Sequence, residues 1–61
     1  MNIPKDPHIL LSFINTKLRD HYPNLEELCA DYEIDATQLK EVIASIDYIY
    51  IREKNRFAPK L

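Results

Sequence analysis

Few side chains in this chain are suited to covalent or proton-transfer chemistry, and their spacing keeps them apart. His8 and His21 stand at opposite ends of one helical segment, about four turns apart, so that helix cannot bring both to a metal ion. The single cysteine, Cys29, lacks a convincing further ligand and reads as a small buried residue between helices. Ser12 and Ser45 have no base and orienting group at a spacing that would make either a nucleophile. Glu26 and Glu27 are adjacent, and Asp31 and Glu33 are two apart. Side chains on a helix meet at three or four residues, so neither acidic pair can share a proton. The chain contains no glycine, hence no Gly-rich phosphate loop. These residues imply no catalytic site, no metal site and no cofactor, and the expected role is noncatalytic.

Binding chemistry is better represented. Tyr48 and Tyr50 alternate along an extended segment that continues to Arg52, with Phe57 following after a turn. Flat aromatic rings with polar ends, joined by arginine, form a composition suited to interfaces. The first expectation is therefore a protein-interaction or homo-oligomerisation surface centred on Tyr48, Tyr50, Arg52 and Phe57, with an unknown protein partner or a second copy in an isologous dimer. The alternative is nucleic-acid binding by a transcriptional accessory domain. Thr37, Gln38 and Lys40 would face a major groove, while Arg52, Lys54 and Arg56 touched phosphates. Glu41 and the acidic block before Thr37 oppose phosphate approach.

The elements that must carry these residues are legible from caps and periodicity. Asp6 before Pro7 marks a helix start, and Leu10, Leu11, Ile14 and Leu18 form an apolar stripe flanked by Ile9 and Phe13. Ser12, Asn15, Thr16 and Arg19 are left for solvent. Pro23 prevents continuation of that helix. Asn24 with Glu27, and Asp35 with Gln38, are capping-box pairs that begin two short helices. Leu25, Leu28, Cys29 and Tyr32 supply the inner side of the first; Leu39, Val42, Ile43 and Ile46 supply that of the second. After Asp47 the period falls to two, a strand signal, and Glu53-Lys54-Asn55 turns the chain toward Arg56-Phe57-Ala58. Ile49, Ile51 and Phe57 are expected to pack against the helices. The expected fold is mainly α: a single three-helix, helix-turn-helix-like domain over residues 1–61, with helices near 7–20, 25–32 and 36–46 and a C-terminal β-hairpin near 48–58.

Composition agrees with a small folded chain. Its 61 residues are 46% hydrophobic and 30% charged, and a deep enclosed pocket is not expected of so small a core. A lone cysteine excludes an internal disulfide framework, and neither an export signal nor a membrane-spanning apolar run is visible. The chain reads as a complete cytoplasmic protein. Its net charge of −2 is unevenly arranged, because residues 20–35 carry six acidic groups and no Lys or Arg, between two more basic segments.

Leu28, Cys29, Ile34, Leu39 and Val42 form an apolar pattern that resembles the helix-turn-helix superfamily over about a third of the chain. Glu33 departs from that pattern, standing where the superfamily generally has glycine. A second resemblance spans nearly the whole length. Met1-Asn2-Ile3-Pro4-Lys5-Asp6-Pro7, Leu10-Leu11-Ser12-Phe13-Ile14-Asn15, Leu18-Arg19-Asp20-His21-Tyr22 and Ala44-Ser45-Ile46 with Tyr48 and Tyr50 resemble the DUF4250 family of short bacterial proteins. That resemblance implies a small cytoplasmic bacterial protein of a family without an established activity, and it carries over no catalytic or ligand residues.

Overall fold

Residues 3–60 are described by a computed structural model. Three helices precede a two-stranded antiparallel hairpin: α1 (Pro7–Asp20), α2 (Leu25–Tyr32), α3 (Ala36–Ala44), β1 (Tyr48–Ile51) and β2 (Arg56–Pro59). Each helix begins where a side chain satisfies otherwise unpaired amides. Asp6 accepts from the N–H groups of His8 and Ile9, Asn24 from Glu27, and Asp35 from Thr37 and Gln38. The return bonds expected from the Glu27 and Gln38 side chains do not form among the described residues, so these caps are one-sided.

Between α2 and α3 the chain reverses sharply despite having no glycine. Glu33 adopts the left-handed conformation (φ 57°, ψ 47°), its N–H donates to the Ala30 carbonyl (3.3 Å), and the Ile34 N–H reaches back to the Cys29 carbonyl (2.8 Å). This is the paired-bond ending that glycine usually supplies at a helix C-terminus. Helix α3 ends two residues earlier than expected. The amides of Ile46 and Asp47 make tight bonds to the carbonyls of Ile43 and Ala44, and Asp47 (φ 63°) turns the backbone into β1.

All three helices and β2 contribute to one core, comprising Leu10, Ile14 and Leu18 of α1, Leu25, Leu28 and Cys29 of α2, Leu39 and Ile43 of α3, and Phe57. Val42 is a correction to the expected inner side of α3. Leu39 and Ile43 lie four apart and face the core in line, which leaves Val42 on the flank, 40% exposed. Among the described residues no helix is long and apolar enough to cross a membrane.

Phe57 packs in the core as expected, but β1 turns the opposite face inward from the one expected. Phe57 enters the core and sits directly across from Tyr50, and opposed residues share a face, so Tyr48 and Tyr50 turn toward the helices. Ile49 points away and is 40% exposed; Ile51 is half-buried. A strand has no intermediate choice, since moving one residue to the inner face moves its neighbours out.

Candidate functional site

Two asparagines fix the hairpin and thereby decide which edges remain available. Asn15 of α1, assigned to solvent by its helical position, is instead half-buried: its Nδ2 donates to the Phe57 carbonyl (3.1 Å) and its Oδ1 accepts the Phe57 N–H (2.8 Å). One side-chain amide thus acts as a strand partner and covers the middle of the outer edge of β2. Asn55 holds the turn. In the left-handed conformation (φ 51°), its Nδ2 donates to the carbonyls of Leu18 (3.2 Å), in the last turn of α1, and Tyr22 (2.9 Å), just beyond that helix. Its Oδ1 accepts from the Tyr50 hydroxyl (2.7 Å), whose oxygen in turn accepts the first amide of α2, at Leu25 (3.3 Å).

Asn15 also reveals the hydrogen-bond phase of the ladder. Since the Phe57 peptide groups face α1, Phe57 and Tyr50 form a non-hydrogen-bonded pair, and the bonded pairs are Ile49 with Ala58 and Ile51 with Arg56. The bond from the Lys60 N–H to the Asp47 carbonyl (2.7 Å) continues that alternation. Pro59, lacking an N–H, falls opposite Tyr48 in a pair that needs none. The peptide groups of Tyr48 and Tyr50 consequently face outward along β1, and among the described residues none has a partner there. Lys40 and Ala44 of α3, with Tyr48, Ile49, Tyr50 and Arg52, line a shallow groove at this strand.

The residues expected to form an aromatic interface do not form one exposed patch. Phe57 is 1% exposed, so its side chain is structural and cannot meet a partner. Tyr50 packs against Phe57 with ring centroids 5.5 Å apart, and its hydroxyl serves the internal bonds above. Tyr48 is half-buried at the groove. Arg52 lies over the Tyr50 ring (5.6 Å) and makes a forked pair with Glu26 (2.6 and 3.2 Å). That pair holds the Glu26 carboxyl below its ordinary pKa and the guanidinium above its own. Among the described residues the exposed large apolar side chains are Ile9 (60%), Val42 and Ile49.

The nucleic-acid candidates divide between separate surfaces. Thr37, Gln38 and Lys40 are exposed on α3 beside exposed Glu41. Lys54 and Arg56 line a second groove, between α1 and the hairpin, with His8, Ser12 and Arg19; Arg52 is not part of it. Cys29 is buried, and its thiol pKa is raised by burial and then by Glu26. The described residues contain no group of three metal-ligating side chains. Tyr22 and Tyr32 pack edge to face (6.1 Å), and the Tyr22 hydroxyl donates to Asp31, which pushes the phenol pKa up to about 12.

A family model described as a domain of unknown function, DUF4250, matches residues 4–57. The chain belongs to the DUF4250 family. No curated protein and no solved structure matches it. The match spans all three helices and the hairpin through Phe57, and so includes both asparagines and the open strand.

Proposed function

We propose that this DUF4250 chain is a noncatalytic, cytoplasmic protein-interaction domain that receives an extended partner segment along β1. The observation that carries this reading is the row of outward peptide groups at Tyr48 and Tyr50, beside the groove lined by Lys40, Ala44 and Ile49. An added strand would gain main-chain hydrogen bonds from that edge and side-chain selectivity from the groove. The opposite edge offers no such site at Phe57, whose peptide groups Asn15 already occupies.

The reading is tested by affinity capture with the intact chain, followed by backbone NMR of the recovered complex. Ile49→Lys with Ala44→Lys should abolish capture, Ile9→Lys should preserve it, and the Tyr48 and Tyr50 amides should become protected in the complex. Capture that survives the double substitution, or a complex that leaves both amides unprotected, would overturn it.

A helix-turn-helix mode of nucleic-acid binding is the weaker reading. Its support is the exposure of Thr37, Gln38 and Lys40 on the helix after a tight turn. Glu41 interrupts that face, and Arg52 is engaged by Glu26.

A further inference from the structure

The groove between α1 and β2 has a charge character at odds with the rest of the molecule. The chain has ten acidic residues against eight basic ones, yet no Asp or Glu lines this groove, whereas His8, Arg19, Lys54 and Arg56 do. Arg19 is shared with Asp20 (2.9 Å), but Lys54 and Arg56 take part in no ion pair among the described residues. The hairpin therefore holds two unpaired cations on one wall, facing the exposed Ser12 hydroxyl and the end of α1 on the other. Their position is not left to a floppy turn, because Asn55 and Asn15 bind the residues on either side of Arg56 to α1.

We infer that this groove binds the phosphate groups of an anionic ligand. A lysine ammonium supplies a point charge with three donors, and an arginine guanidinium supplies a planar fork matched to two phosphate oxygens. The acidic residues concentrated between positions 20 and 35 lie outside this lining; Asp20 offsets Arg19 at its edge, and the charges of Lys54 and Arg56 remain. This site shares Tyr48 and Phe57 with the β1 groove but none of its charged residues, and it does not depend on the strand-addition reading. Phosphates could come from a single-stranded nucleic acid or from a small phosphorylated molecule, and the chemistry at Lys54 and Arg56 is shared.

Fluorescence anisotropy of a labelled oligothymidylate against the full chain, over a salt series, tests the inference. Two displaced cations predict a log–log salt slope of about −1.4, or roughly 25-fold weaker binding for a tenfold rise in salt. Lys54→Glu with Arg56→Glu should weaken binding at least about tenfold, and Lys40→Glu in the other groove should leave it unchanged. Should the charge-reversed chain fail to fold by circular dichroism, Lys54→Gln with Arg56→Gln replaces it, with the same loss expected. Competition by inorganic pyrophosphate distinguishes a small phosphate ligand, which it displaces at comparable concentration, from a nucleic-acid strand, which resists it. If neither the oligonucleotide nor pyrophosphate binds at low salt, the inference fails. It also fails if Lys40→Glu reduces binding equally, or if polyglutamate competes as well as pyrophosphate.

Discussion

Asn55 combines a left-handed backbone with three hydrogen bonds, to Leu18, Tyr22 and Tyr50, so its substitution separates backbone from side-chain effects. Asn55→Ala should destabilise the chain by about 3 kcal/mol, from lost bonds and from a β-carbon in the left-handed region; Asn55→Gly should cost about 1 kcal/mol less, since glycine accepts that conformation. Denaturant midpoints measure both. Tyr22 gives a pH-dependent counterpart. Its folded pKa, about 12, lies above the ordinary 10.0 because Asp31 accepts its hydroxyl proton. The folded state thus favours the protonated phenol: the contribution is fully present below pH 10 and is lost as pH rises through about 12. Absorbance titration should show one late-ionising tyrosine, absent in Tyr22→Phe, and the alkaline stability loss over that interval should shrink in the same variant.

Turns and edges determine how the elements meet. Glu33 carries a left-handed position that glycine fills without a steric cost, so Glu33→Gly should stabilise the α2–α3 junction by up to about 1 kcal/mol in thermal unfolding. At the hairpin, Asn15→Ala should cost about 2 kcal/mol and accelerate exchange of the Phe57 amide, because two bonds to one edge vanish together. The helices were legible because Asp6, Asn24 and Asp35 announce their starts and leucines and isoleucines three or four apart mark their inner sides. The expected three-residue turn, Glu53-Lys54-Asn55, would set Ile51 opposite Phe57; the chain instead turns over the four residues 52–55, which sets Tyr50 opposite Phe57 and brings the tyrosines inward. The alternation of isoleucine and tyrosine gave no warning, because either set can cover a core. Asn15 gave no local signal at all. Its partner lies 42 residues away, and a polar residue on a helix flank looks the same whether it meets water or a strand.

For the whole molecule, the two walls of the hairpin have different destinies. β2 is joined to α1 through Phe57 and Asn15, while β1 keeps peptide groups facing outward beside α3. The candidate surface therefore follows from how the core is closed rather than from the aromatic residues that first suggested it. A short open edge on a small chain is either protected or used, and here Lys40 and Arg52 at the groove discourage indiscriminate pairing while leaving the strand accessible. Residue-resolved amide hydrogen exchange on the intact, unliganded chain tests this arrangement most directly. The Ile49, Ile51, Phe57 and Ala58 amides should exchange at least about tenfold more slowly than those of Tyr48 and Tyr50; equal protection of the two tyrosine amides would mean that the edge is already covered and would contradict the account.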